Sequence, residues 1–205
     1  MPSVYTVVYD ATGKFIICNK NTVAYYFTSN GSSKAFYIPP KAVLNGPGLM
    51  CFPGGGIKKN SPLVSGLDEF REETSVRLTS FPQDRKANIE CFKYTDPLGV
   101  NFWGVYYRVS PANLLLIKNQ VDLALANSSQ IAALISAHTL TVPVDLPTEA
   151  ASRALIPYAE DNELSYAEVW DCTDPATQAL INSWNNTSQN WFRQMFNDLL
   201  TSYNA

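Results

Sequence analysis

The chain has 205 residues, 46% hydrophobic and only 16% charged, with 15 basic and 18 acidic side chains and a net charge of −3. That length fits one domain with a substantial core. The acidic balance argues against a nucleic-acid binder, which needs clustered Lys and Arg to neutralise phosphates. The 12% aromatic content at small net charge argues against disorder.

The first hundred residues read as strands and turns. Residues 4–9 and 14–18 are β-branched and aromatic around a turn signal from Asp10 to Gly13, which predicts a hairpin. Residues 22–28 are a candidate third strand, and residues 30–33 a turn before the apolar piece 35–38. Pro39, Pro40 and the Gly/Pro cluster at 45–48 break regular structure. Residues 49–52 predict a short strand leading into Pro53 and a loop of three glycines. Ser61 then caps a helix with Pro62 at its first position. Leu63, Leu67, Phe70 and Thr74 form the stripe expected to pack on a sheet. Two more strands follow at 89–94 and 101–109, around the turn at 96–99.

The second half reads as mostly helical. Residues 112–125 and 129–140 predict two helices. Residues 141–147 read as extended, because Pro143 and Pro147 disfavour a helix there. A late strand is expected at 164–170. A helix runs from Asp174 to about Trp184, and a final amphipathic helix over 188–203 carries Trp191, Phe192, Met195, Phe196 and Leu199 on one side. That apolar side either closes the core or forms a homodimer contact. The pattern predicts an α/β fold, a mixed sheet covered by helices.

Cys18, Cys51, Cys91 and Cys172 are scattered, without a C-x-x-C pair, and read as buried free thiols in a reducing compartment. The N-terminus has no basic-then-apolar leader, and no run of about 18 apolar residues occurs. The expectation is a cytoplasmic chain with no membrane partner. One histidine, His138, argues against a His-rich zinc site or a Ser-His-Asp triad and reads as structural.

The charge that this chain does carry is concentrated. Eight of its charged residues fall between 58 and 77: Lys58, Lys59, Asp68, Glu69, Arg71, Glu72, Glu73 and Arg77. Glu69, Glu72 and Glu73 stand at i, i+3 and i+4, so one helical face bears three carboxylates, pointing largely away from the apolar stripe. Like charges at that spacing repel. A hard divalent cation reverses the sign by taking carboxylate oxygens. Glycines before the helix let backbone approach a metal or phosphate. A solvated acidic face neutralised by the neighbouring Lys and Arg is the plain alternative.

The segment resembles the Nudix box of the Nudix hydrolases: Gly, five residues, Glu, seven residues, then Arg-Glu-aliphatic-x-Glu-Glu-x-Gly-aliphatic. Gly54 matches the opening glycine, Glu69 the Glu of Arg-Glu, Phe70 the aliphatic position, Glu72 and Glu73 the Glu pair, and Val76 the closing aliphatic. The match departs at Asn60, Asp68 and Ser75. The hairpin at 10–13 and the run Glu168, Val169, Trp170 resemble the family loosely. The resemblance implies an α/β/α sandwich over residues 1–205, with a helical insertion at about 111–160 and a helical extension at about 175–205. It implies Mg²⁺- or Mn²⁺-dependent hydrolysis of a small-molecule diphosphate, often a nucleoside diphosphate derivative. Glu72 and Glu73 would be direct metal ligands, Glu69 a ligand or the base that orients water, and the Gly54 carbonyl a further ligand. A downstream acid, from Glu160, Asp161 or Glu163, often completes such a site. Lys58 and Lys59 are candidates for phosphate contact. Tyr25, Tyr26, Phe36, Tyr37, Trp103, Tyr107 and Tyr158 are candidates for base stacking or for ordinary core packing. The three departures favour a second reading, a Nudix-fold module that binds a nucleotide or protein partner without catalysis. The retained Glu69, Glu72 and Glu73 favour the hydrolase.

Overall fold

The computed structural model describes residues 2–23, 28–29, 35–36, 46, 48–58, 61–84, 89–96, 99–137, 140, 145–184 and 190–203. Strands β1 (Ser3–Asp10) and β2 (Lys14–Lys20) form the expected hairpin, with Tyr9 opposite Phe15. Gly13 sits at a φ of 88°, the left-handed position that such a turn needs. β3 (Thr28–Ser29) and β4 (Ala35–Phe36) make a separate two-stranded ladder. Most of the predicted strand at 22–28 lies outside the described residues.

β5 (Met50–Cys51) pairs with β2, and β6 (Gly54–Gly56) pairs antiparallel with β1. The three glycines expected as a loop are therefore a strand. A Cβ at Gly54 would lie 2.1 Å from the Val4 carbonyl oxygen, so a side chain there would force the two strands apart. Helix α1 (Pro62–Thr74) follows, then β7 (Glu90–Thr95) and β8 (Asn101–Val109). β8 lies parallel to β1 along its whole length, from Ser3 opposite Phe102 to Asp10 opposite Val109. Next come α2 (Pro111–Ser136), α3 (Leu146–Ser152), β9 (Leu164–Asp171), α4 (Pro175–Ser183) and α5 (Asn190–Ser202). The seven-stranded sheet runs β5-β2-β1-β8-β7, with β9 also on β2 and β6 also on β1.

Alternation along β1 sends side chains to two faces. Val8 packs with Ile16, Phe70 of α1 and Ile117, Val121 and Leu125 of α2. Val7 and Tyr9 pack with Phe15 and with Phe192, Met195, Phe196 and Leu199 of α5. The fold is thus a mixed sheet flanked by helices, as the sequence pattern predicts. Burying each of the α5 side chains is worth roughly 1.5–3 kcal/mol. Tyr106 Oη donates to the Met195 carbonyl at 2.9 Å, and Phe52 stacks on Phe192 at 4.5 Å, which pins α5 to the sheet. The apolar side of the last helix therefore closes the core.

Three local expectations are corrected. The helices expected at 112–125 and 129–140 are one 26-residue helix, α2. The helix runs on through Asn127 and Ser128, whose side chains donate to the Pro157 carbonyl and, one turn back within α2, to the Ala124 carbonyl. Of the segment read as extended, residues 141–144 lie outside the described residues, and Pro147 at its end is helical. It sits in the first turn of α3, where a missing N–H costs nothing, after the Asp145 cap. Phe70 and Thr74 of the expected stripe are buried and Leu67 packs against the same core, but the buried face is wider and also takes in Ser65, Gly66, Glu69 and Glu73, so two of the three glutamates face the sheet instead of pointing away from it. All four cysteines are free, with Cys18, Cys51 and Cys172 buried. Among the described residues no helix is long and apolar enough to cross a membrane.

Candidate metal centre

Helix α1 begins where Ser61 Oγ accepts the Val64 N–H at 3.3 Å. It ends at Ser75, whose φ of 61° is the left-handed cap conformation that glycine usually supplies. Ser75 thus takes the shape of the closing-turn glycine it replaces. Between these caps α1 lies along β6 and β1, held in part by the Thr6 hydroxyl donating to the Gly66 carbonyl at 2.9 Å.

Glu73 is 2% exposed, and its Oε2 accepts the Gly54 N–H at 2.8 Å. Burial, then the like charge of Glu163, raises its pKa well above the usual carboxylate range, against the opposing pull of Lys20 and Gly54. Glu69, one turn earlier and 4% exposed, lies under Gly55. Its pKa is also raised, by burial first and the Glu72 charge second, partly offset by Lys58. Glu69 Oε1 is buried and makes no hydrogen bond by geometry, with the Lys58 ammonium ion-paired to it at 3.0 Å. Glu72 sits at the rim, 2.6 Å from Lys58 Nζ and 3.5 Å from Arg71 Nη2.

The downstream acid is Asp161. Its N–H donates to the Glu72 carbonyl at 3.0 Å, which ties the segment before β9 to α1. Ser128 Oγ accepts the Ala159 N–H at 2.8 Å, and the Ser128 carbonyl accepts from Asn162 Nδ2 at 3.1 Å. Asn21 Nδ2 donates to Asn162 Oδ1 at 2.6 Å. Burial, then the charges of Glu72 and Glu163, push the Asp161 carboxyl up to about 7. One oxygen each of Glu69, Glu72 and Asp161 lie within 4.8 Å of one another. Three carboxylate oxygens converging at that separation form a donor set suited to a hard divalent cation.

The structure therefore brings Glu69 and Glu72 together with Asp161. It places Glu73 and Gly54 on each other through the 2.8 Å hydrogen bond. Glu160 pairs instead with Arg71 at 2.6 Å, and Glu163 with Lys20 at 3.4 Å. The sequence shows an acid-rich run before β9 but nothing to separate Asp161 from its neighbours; the backbone bond to Glu72 does that. Asn60, Lys59 and His138 lie outside the described residues, as do Tyr25, Tyr26, Tyr37 and the Phe36 side chain. Asp68 stands where the box carries arginine, and the cations on the glutamates come from Lys58 and Arg71. Tyr107 is buried, its hydroxyl on the Leu78 and Phe81 carbonyls, which is a packing role.

No family model matches the chain, and no curated protein matches it. A solved structure described as the MutT protein from Methanosarcina mazei Go1 is similar in shape, with a TM-score of 0.42 and 12% identity, covering 100% of this chain and 96% of that one. A likeness at that level carries no functional argument.

Proposed function

We propose that the protein is a divalent-metal-dependent hydrolase of the Nudix type, acting on a diphosphate linkage in a nucleoside diphosphate derivative or related compound. The observation that carries this reading is the convergence of Glu69, Glu72 and Asp161 oxygens within 4.8 Å at one end of α1. Glu69, Glu72 and Asp161 are the residues that would hold Mg²⁺ or Mn²⁺. Such an ion, when bound, offsets diphosphate charge and lowers the pKa of water. Glu73 and Gly54, implied as ligands by the box, act in this proposal beneath the site: the Gly54 N–H fixes Glu73, and with it the β6 backbone against which Glu69 packs. Glu69, with Oε1 buried beside Lys58, would serve as a metal ligand or as the base that orients the attacking water. Arg71 holds Glu160 away from the oxygen cluster and braces Glu72.

The second reading, a module that binds a nucleotide or a protein partner without catalysis, is favoured by one observation: Lys58 is already ion-paired with two of the three carboxylates. A panel of nucleoside diphosphate derivatives, assayed for phosphate or nucleotide release with Mg²⁺ or Mn²⁺, separates the two. The hydrolase reading expects turnover that Glu72→Gln and Asp161→Asn reduce at least tenfold. Absence of turnover on every substrate, together with no metal-dependent change in melting temperature, refutes it.

A further inference from the structure

We infer that Lys58 is a built-in counter-cation that a divalent metal must displace, so that this one side chain sets how readily the carboxylate cluster loads. The inference rests on the metal reading above. Lys58 Nζ lies 3.0 Å from Glu69 Oε1 and 2.6 Å from Glu72 Oε2, bridging the two carboxylates that converge with Asp161. Mg²⁺ takes carboxylate oxygens at about 2.1 Å, so an ion on those same two oxygens would sit within about 5 Å of Nζ. Ammonium and metal repel at that distance and compete for the same lone pairs.

Two further features make this an exchange rather than a fixed ion pair. Glu69 Oε1 is buried, and the ammonium at 3.0 Å from it makes no hydrogen bond to it by geometry, so the oxygen keeps acceptor capacity. The Lys58 side chain is 58% exposed on a flexible four-carbon stem, two residues past β6, so it can swing into solvent without opening a cavity. Arg71, the other cation near Glu72, is bound to Glu160 at 2.6 Å and has a partner to keep it at the rim. Asp68, where the box resemblance implies an arginine, supplies no positive charge, which leaves Lys58 as the bridging cation across Glu69 and Glu72 among the described residues.

The test is calorimetric titration of Mn²⁺ into the wild type, Lys58→Gln and Lys58→Arg. Removal of an ion pair of this exposure corresponds to about a fivefold change in affinity. Lys58→Gln is therefore expected to bind Mn²⁺ about fivefold or more tightly than the wild type, and Lys58→Arg to stay close to it. Melting temperatures in EDTA and in saturating Mn²⁺ give a second readout: Lys58→Gln gains a larger metal-dependent rise than the wild type. Equal or weaker Mn²⁺ binding by Lys58→Gln, with wild-type binding intact, overturns the inference and leaves the metal reading standing, because Lys58 would then support the site. Binding by neither protein overturns both.

Discussion

Gly55 offers the sharpest separation between the site and the fold. A Cβ at residue 55 would lie 2.5 Å from Glu69 Oε2 and 2.8 Å from its Cδ. Ordinary contact begins near 3.4 Å, so in Gly55→Ala the carboxylate must retreat by roughly 1 Å. The colliding atoms are the end of a side chain, and the helix need not move. The stability cost is therefore at the low end of overpacking, about 1 kcal/mol, or roughly 2–4 °C in melting temperature for a chain of this size. A metal site tolerates only about 0.2 Å in its ligand distances, so the same 1 Å weakens Mn²⁺ binding by about 10- to 100-fold. Gly54→Ala reverses the pattern. Its Cβ would meet backbone, the Val4 oxygen at 2.1 Å and the Tyr5 Cα at 2.7 Å, and neither can move without parting β6 from β1. About 3 kcal/mol of stability is expected to go. Thermal melts in EDTA and Mn²⁺ titrations of both variants are the assay. Wild-type Mn²⁺ affinity in Gly55→Ala, or equal losses of stability in the two variants, would refute the reasoning.

Glu73 tests its assigned place beneath the site. Its raised pKa means that a neutral side chain is tolerated, so Glu73→Gln, which keeps an acceptor for Gly54 N–H, should match or exceed wild-type stability in urea melts, while Glu73→Ala loses about 1–3 kcal/mol. Ser128→Ala orphans the Ala159 N–H and loosens the segment that carries Asp161; a loss of about 1–3 kcal/mol is expected, with weaker Mn²⁺ binding than in an exposed α2 control such as Leu115→Ala. Phe192→Ala removes the ring stacked on Phe52 and should cost about 3–5 kcal/mol in denaturant melts without shifting Mn²⁺ affinity in the protein that stays folded. Burial raises the pKa of Tyr5, Tyr94 and Tyr106, with the Asp198 carboxylate adding to it at Tyr94 and the Tyr94 hydroxyl at Tyr106. Below about pH 10 these phenols are protonated in both folded and unfolded chains and leave stability unchanged; above it the unfolded chain ionises first and stability falls. A tyrosine titration should show phenols that ionise only together with loss of near-UV circular dichroism, and their early, independent ionisation would count against the packing described.

What was legible in the sequence was local. The hairpin at Gly13, the Ser61 cap and the amphipathic α5 follow from residue chemistry within a few positions, and so does the grouping of Glu69, Glu72 and Glu73 on one helix. Spacing alone left these glutamates equivalent and directed them outward. Tertiary structure separated them, because the close approach of β6 to β1, possible only with glycines, brings α1 down with its Glu69/Glu73 side inward. Glu73 then spends its carboxylate on a backbone N–H, Glu69 is buried beside a lysine, and Glu72 reaches the rim. Asp161 enters from 89 positions beyond Glu72 through a single backbone bond, a pairing that no local pattern encodes because it depends on how α2 and β9 pack against the first half of the sheet. The same distinction holds for Ser128. It falls in the gap between the helices read at 112–125 and 129–140, and becomes an anchor once the chain folds back and offers it the Ala159 N–H.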